Sequence, residues 1–133
     1  MKNPATANPV RKAFLERCMT VGGWIQVGHP ASAEILARAG FAWIAVDLEH
    51  TDITLESTAA CFRAMDRGGA IPFARVREND TLAIRQVLDL GARGSLVPLV
   101  HDAAGAERAV RAANYPPRGV RGLCPEGPRP VPV

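Results

Sequence analysis

The densest group of side chains able to do acid–base chemistry lies in the segment VDLEHTD, at residues 46–52. The imidazole of His50 is suited to act as a general base, and the carboxylates of Asp47 and Glu49 can set its tautomer and basicity. The same spacing also fits a solvated loop whose acids cap a following helix. The segment therefore predicts either a base with supporting carboxylates or a helix cap.

Arg75, at the end of the apolar run IPFAR, is a second candidate. Its guanidinium stays protonated and has the planar shape that matches a carboxylate or a developing oxyanion. An ion pair with a nearby acid is the other interpretation. Asp89, in the segment VLDLG, lies inside a predicted helix, where most aspartates face solvent. Its position alone therefore indicates no functional role.

The three histidines of the chain, His29, His50 and His101, each follow a predicted strand. Three converging imidazoles would form a zinc site and indicate a metallohydrolase. The paired H-x-H on an early strand that is typical of barrel metallohydrolases does not occur in this sequence. Histidines on separate loops more often cap helices or lie at the surface, and that interpretation is favoured.

A regular alternation of apolar strands and helices must position these residues. Strands are predicted at residues 24–27, 41–46, 71–74 and 95–100. Helices are predicted at 31–39 and after the capping residues Thr54, Asp80 and Asp102. In the last helix, the residues predicted to face inward are Ala106, Val110 and Ala113. Because the strands are apolar throughout, both of their faces are buried, which is typical of a parallel sheet covered by helices.

The fold class is therefore α/β, built from four strand–helix units. Such units form either a doubly wound sheet or a (β/α)8 barrel. Neither GxGxxG nor GxxxxGK[ST] is present, and the lack of both nucleotide-binding motifs favours the barrel. Ligands of both folds sit at the carboxyl ends of the strands, where Gln26, Asp47, Arg75 and His101 are predicted to line one polar rim. Trp24, Phe41 and Trp43 are predicted to pack in the core rather than to form a stacking platform.

Composition and charge narrow the classes of function. The 133 residues are 47% hydrophobic and 22% charged, which is an ordinary globular balance. No apolar run approaches the ~18 residues that a membrane span needs. The net charge of +3 comes from arginines that are scattered among acids, without a basic run or interleaved aromatic residues. This pattern argues against a nucleic-acid partner.

Lysine and cysteine usage excludes two further kinds of chemistry. The only lysines are Lys2 and Lys12, so a Schiff-base enzyme, which needs a desolvated lysine in its pocket, is not expected. Cys18, Cys61 and Cys124 lie far apart and form no CxxC pair, which argues against a disulfide framework or a zinc knuckle. A reducing, cytoplasmic location fits this pattern.

Four segments, in this order, carry a family resemblance: AEILARAGFAWIAVDLEH, RVREND, IRQVLDLGARGSLVPLV and YPPRGVRG. Through them, residues 20–122 resemble the HpcH/HpaI aldolase family, which includes 4-hydroxy-2-oxoheptanedioate and 2-dehydro-3-deoxyglucarate aldolases and, more distantly, citrate lyase beta subunits. The resemblance implies a (β/α)8 barrel and a class II aldolase. In such an enzyme a divalent metal (Mg, Mn or Co) holds a 2-oxo acid such as pyruvate.

By the same resemblance, His50 ends the family's D-x-E-H motif and is the catalytic base, and Arg75 binds substrate and stabilises the enolate-like transition state. Asp89 matches the aspartate that raises the basicity of the histidine, a role that its position alone did not indicate. Glu49 matches the acid beside the histidine, with Asp47 as a second supporting acid. The family's metal carboxylates lie on the fifth and sixth strands, so no metal ligands are expected in this chain.

The resemblance divides the chain into an N-terminal lead with a first helix (1–19), half of an aldolase barrel (20–122) and a proline-rich irregular tail (123–133). The predicted function is cleavage of 4-hydroxy-2-oxo acids to pyruvate and an aldehyde. We expect this truncated form of the enzyme to be inactive. The expected partners are a small 2-oxo acid and further copies of the chain, since family members are homo-oligomers, often hexamers. The alternative is a non-catalytic fragment or partner-binding half barrel.

Overall fold

Four parallel strands and five helices alternate along residues 8–122, the range that a computed structural model of the protein describes. The strands are β1 (Gly22–Ile25), β2 (Trp43–Asp47), β3 (Ile71–Arg75) and β4 (Gly94–Leu96). The helices are α1 (Pro9–Leu15), α2 (Pro30–Arg38), α3 (Leu55–Gly68), α4 (Thr81–Asp89) and α5 (Ala103–Ala113). One sheet is formed in the order β1-β2-β3-β4, with every pair parallel. The predicted α/β class and its repeated strand–helix unit are confirmed.

The proline-rich tail predicted at residues 123–133 lies outside the described residues. Among the helices of residues 8–122, none has both the length and the apolar character needed to cross a membrane.

The helices begin where the sequence supplies a capping atom. Thr54, Asp80 and Asp102 accept hydrogen bonds from backbone N–H groups in the first turns of α3, α4 and α5, as predicted. The imidazole Nδ1 of His29 accepts from the N–H of Ala31 at 3.2 Å and caps α2. These caps fix where each loop that follows a strand must end, and those loops carry the polar rim.

The outer face of the sheet holds the main hydrophobic core. It is covered by α2, α3 and α4, with α5 packed beside α4. Ile44 and Val46 of β2 are buried in one cluster with Phe62 and Met65 of α3. Burial of each large apolar side chain stabilises a fold by roughly 1.5–3 kcal/mol, so this layer anchors the sheet. Cys61 lies in the same cluster, where burial raises the pKa of its thiol.

The inner face of the sheet is filled by aromatic rings toward its amino end. Trp43 and Phe73 meet with ring centroids 5.3 Å apart, and Val10 of α1 is buried in the same cluster. A Cβ on Gly22 would lie 2.1 Å from the Trp43 ring. A Cβ on Gly94 would lie 2.2 Å from the Phe73 ring. The two glycines therefore make room for the rings, and the carboxyl end of this face is left to polar side chains.

Two strand predictions are corrected by the structure. The fourth strand ends at Leu96 rather than at residue 100, because Pro98 has no N–H for the ladder and Leu99 adopts a φ of 56° with its side chain exposed. Phe41 and Trp43 are half-buried and pack against the core as predicted. The prediction that Trp24 packs in the core is wrong, since the residue is 46% exposed. β1 starts two residues earlier than predicted, so Trp24 lies near its carboxyl end.

The inward face of α5 also differs from the prediction. Gly105 and Ala112 are buried and Ala113 packs half-buried against the core, whereas Ala106 and Val110 are exposed. Alanine and glycine make up most of this helix, so the sequence gives no strongly apolar side that would fix its rotation. Close approach to the neighbouring α4 decides the face instead, and small residues permit it.

We expect a polypeptide of these 133 residues to self-associate. Within residues 8–122, β1 and β4 pair on one side only, and Val27 and Ile35 near β1 are 67% and 69% exposed. Unpaired strand edges beside exposed apolar side chains promote pairing with further chains. Size-exclusion chromatography with light scattering measures the association, which Val27→Lys combined with Ile35→Lys should reduce. A sharp monomer with strong near-UV circular dichroism in the unmodified chain would contradict this expectation.

Candidate active site

The carboxyl ends of β1, β2 and β3 bring three polar side chains together on the inner face of the sheet. Asp47, the last residue of β2, pairs in register with Arg75, the last residue of β3. Gln26 follows β1 directly, and its amide reaches the carboxylate of Asp47. Residues two apart in a strand share one face, so Trp24 lies on the same side as Gln26. Neighbouring strands, rather than loops alone, therefore build this part of the rim.

Asp47 is the centre of the group, and it is completely buried. Arg75 donates to its carboxylate through Nε at 3.0 Å and Nη2 at 2.6 Å, and Gln26 donates through Nε2 at 3.3 Å. The backbone N–H groups of Glu49 and His50 donate to Oδ1 at 3.1 and 3.3 Å. The hydrogen bonds from Arg75 hold the pKa of Asp47 well below its usual range, although burial acts in the opposite direction. Asp47 is therefore a fixed anion.

The guanidinium of Arg75 binds carboxylates with some of its N–H groups and leaves others free. Its Nη1 lies 3.2 Å from Oε2 of Glu49, and its guanidinium carbon lies 5.0 Å from the centre of the Trp24 ring. Hydrogen bonding to Asp47 raises the pKa of Arg75. A guanidinium has five N–H donors, so at least two are not used by these carboxylates, and the side chain is 25% exposed. Arg75 thus forms the ion pair that was one interpretation and keeps donors for an anion.

His50 lies on the loop after β2, beside this group. Its side chain is 64% exposed, and its Nε2 lies 3.7 Å from Oε1 of Glu49. The helix that follows is capped by Thr54 together with Ser57, so the acids of this loop do not cap it. An exposed imidazole, a carboxylate and a guanidinium therefore meet at one end of the sheet.

Asp89 lies away from this group. It ends α4, and a helix between parallel strands runs antiparallel to them, so Asp89 lies toward the amino end of the sheet and His50 at the carboxyl end. Its carboxylate accepts from Nη2 of Arg121 at 2.7 Å. Arg121 is 5% exposed, with its guanidinium 4.7 Å from the centre of the Tyr115 ring. Within one copy, the described contacts of Asp89 fix the segment after α5 and do not include His50.

The described residues do not fit a divalent metal on their own. In residues 8–122, no three His, Cys, Asp or Glu side chains lie close enough together to hold an ion. His29 caps α2 and His101 is exposed after β4, so the structure does not bring the three histidines together. The carboxylate of Asp47 already accepts five hydrogen bonds. Hard cations need several oxygen ligands, which this rim does not supply.

Sequence reasoning missed two side chains of these networks, Trp24 and Arg121. Trp24 lies two residues before Gln26, and this spacing places both on one face near the end of β1. The apolar character of the run obscured that signal. Arg121 stands in the segment YPPRGVRG, where nothing local distinguishes a buried arginine from an exposed one.

Acid should remove the stabilisation that Asp47 provides. We expect Asp47→Asn to lower the free energy of unfolding at pH 7 by about 3 kcal/mol, the low end for breaking a buried ion pair, because Arg75 is partly solvated. The pKa of Asp47 is lowered in the fold, so its contribution is complete above the ordinary aspartate pKa and is lost as pH falls below it. Denaturant unfolding at pH 7 and pH 3 measures this difference. The control is Asp52→Asn, which changes an exposed acid in the same loop. If Asp47→Asn lowered the free energy of unfolding equally at pH 7 and pH 3, the prediction would be contradicted.

Asp89 is expected to matter for stability. Asp89→Ala leaves the buried guanidinium of Arg121 with Tyr115 alone, and a hydrogen bond to a charged group is worth about 1.5–3 kcal/mol. We expect the free energy of unfolding to fall by about 2 kcal/mol. Chemical denaturation measures it, with Asp66→Ala on the exposed side of α3 as the control. Equal stability of the two variants would show that the Arg121 pair contributes nothing.

A parallel sheet covered by helices, with charged side chains at its carboxyl edge, is the arrangement of enzymes built on βα units. The family model described as HpcH/HpaI aldolase/citrate lyase matches residues 20–129. The chain belongs to the HpcH/HpaI aldolase/citrate lyase family, which confirms the resemblance seen in the four sequence segments.

Relatives with known names match most of this chain. The hydroxypyruvate/pyruvate aldolase of Roseobacter denitrificans is 38% identical over 120 residues, covering 90% of this chain and 47% of that protein. The 4-hydroxy-2-oxovalerate aldolase of Rhodococcus jostii is 41% identical over 120 residues, covering 87% and 45%. The crystal structure of a family protein from Burkholderia cenocepacia overlays with a TM-score of 0.81 at 29% identity, covering 88% and 48%. The chain spans about half the length of the relatives it matches.

Proposed function

We propose that this chain carries part of the active site of a carbon–carbon lyase that cleaves 4-hydroxy-2-oxo acids to pyruvate and an aldehyde. The Arg75 guanidinium is the observation that supports this most directly, because Asp47 fixes it while at least two N–H donors stay available. Cleavage of such an acid places negative charge on the oxygen of the forming enolate. A donor that is already held in place stabilises this charge without reorganising.

His50 is proposed as the base of this reaction. It accepts the proton of the C4 hydroxyl group, the bond between C3 and C4 breaks, and C4 leaves as the aldehyde. The bonding electrons move into the pyruvate enolate beside Arg75. Glu49, 3.7 Å from Nε2 of His50, stabilises the imidazolium that forms. The enolate then takes this proton at C3, which gives pyruvate and restores the neutral base.

Metal dependence is proposed for the whole protein and not for the described residues alone. The family resemblance implies Mg, Mn or Co, but residues 8–122 do not fit such an ion, and the steps above use none. Asp89 has no step in this scheme either, because its contacts within one copy are with Arg121. Its predicted action on His50 stays a prediction.

The test uses a chimera in which residues 20–122 replace the matching segment of the Roseobacter denitrificans aldolase. Pyruvate release from a 4-hydroxy-2-oxo acid is followed with lactate dehydrogenase and NADH. We expect one pyruvate and one aldehyde per substrate, loss of activity with EDTA and its return with Mn²⁺. The 133-residue chain alone is expected to be inactive. A folded chimera that releases no pyruvate would overturn the proposal.

A non-catalytic role in binding another subunit is the second candidate. The one-sided pairing of β1 and β4 within residues 8–122 favours it, because such edges accept a further strand. On this hypothesis the chain contributes a surface but no turnover, so the chimera would fold and stay inactive. Homo-oligomers, as the family resemblance implies, are proposed under either hypothesis.

A further inference from the structure

Gln26 presents a hydrogen-bond acceptor beside Arg75. Its Nε2 lies 3.3 Å from Oδ2 of Asp47, the same oxygen that accepts from Nη2 of Arg75 at 2.6 Å. Asp47 is ionised and has no proton to donate, so only the NH₂ end of the amide can face it. The carbonyl Oε1 of Gln26 must therefore point away from the carboxylate.

Gln26 and Arg75 border the same open surface. Both donate to Oδ2 of Asp47, so their side chains are close enough for one small molecule to contact both. Gln26 is exposed, and Trp24 on the same face lies against the guanidinium. The free N–H donors of Arg75 suit an anionic oxygen, whereas Oε1 of Gln26 suits an O–H group. A ligand that carries both groups satisfies both side chains.

We propose that Gln26 is a specificity-determining residue whose side-chain carbonyl accepts a hydrogen bond from a hydroxyl group of the substrate at Arg75. The inference rests on the proposed function and adds a substrate preference: 2-oxo acids with a hydroxyl on C3 are favoured over those without one. Because Gln26 is exposed, water replaces a missing hydroxyl, so the preference is moderate. One neutral hydrogen bond corresponds to about fivefold to tenfold in affinity.

Hydroxypyruvate and pyruvate are the probes that test this. Their binding to the chimera in the presence of Mn²⁺ is measured through tryptophan fluorescence, because Trp24 contacts Arg75. We expect hydroxypyruvate to bind about fivefold to tenfold more tightly. Gln26→Met, which keeps the length of the side chain but has no carbonyl, should lose this preference and bind both acids with equal affinity. Val27→Met, at the next residue, is the matched control and should keep the preference.

Two sets of outcomes separate this inference from the proposed function. Equal binding of both acids by the chimera without further substitution, or an unchanged preference in Gln26→Met, would overturn the role of Gln26 alone. Failure of the folded chimera to bind either acid, or cleavage that Arg75→Ala does not slow, would overturn the proposed function and this inference with it. The same variants give a second measurement, in which each acid is added to glycolaldehyde in the aldol direction. The quantity compared is kcat/KM for hydroxypyruvate divided by kcat/KM for pyruvate. Gln26→Met should lower that ratio by the same factor.

Discussion

Replacing Arg75 with alanine in the chimera is expected to lower kcat for cleavage of a 4-hydroxy-2-oxo acid by about 10²–10³-fold. Arg75 acts on charge that is complete only as the enolate forms, so the loss falls on kcat more than on KM. The variant also leaves buried Asp47 without its two shortest donors, so its folding is checked first by circular dichroism. Pyruvate release under saturating substrate gives the effect.

Arg75→Lys separates the shape of the side chain from its charge. An ammonium group is a point charge and cannot hold Asp47 with two donors in one plane while presenting others outward. Little activity is therefore expected to return. Arg77→Ala, which removes an exposed arginine from the loop after β3, should leave kcat unchanged. Full activity in Arg75→Ala would contradict the proposed role of Arg75 in stabilising the enolate.

His50→Ala in the same chimera is expected to lower kcat by about 10²–10⁴-fold, the contribution typical of a general base. The imidazole is 64% exposed, so added imidazole can reach the space it leaves and should restore part of the activity. Glu49→Gln should cost less, because it removes only the charge that stabilises the imidazolium. These rates are measured by the coupled pyruvate assay with and without added imidazole.

His101→Ala is the control for His50. The side chain is exposed after β4 and has no role in the proposed reaction, so its loss should leave activity unchanged. A large loss would instead show that His101 takes part in the reaction. The pair His50 and Asp89 is tested by the double variant: if the two act as one unit, it is scarcely worse than His50→Ala, and strictly additive losses would count against that role.

Local signals in the sequence were enough to predict the repeated strand–helix unit. Continuous apolar runs such as FAWIAV mark strands buried on both faces, and Thr54, Asp80 and Asp102 mark the helix starts. Both signals act between residues that are close along the chain, so no tertiary information is needed to interpret them. The same reasoning failed at α5, where small residues left the buried face undetermined.

The sequence by itself determined which residues stand at the ends of the strands, among them Gln26, Asp47 and Arg75. Only the tertiary structure decided that these three meet, because a hydrogen bond between strands depends on register, and a slip of one residue would turn Arg75 to the opposite face. Asp89 shows the same limit in another way. The direction of α4 carries it toward the other end of the sheet and against Arg121, and no local pattern encodes the direction from which a distant partner arrives.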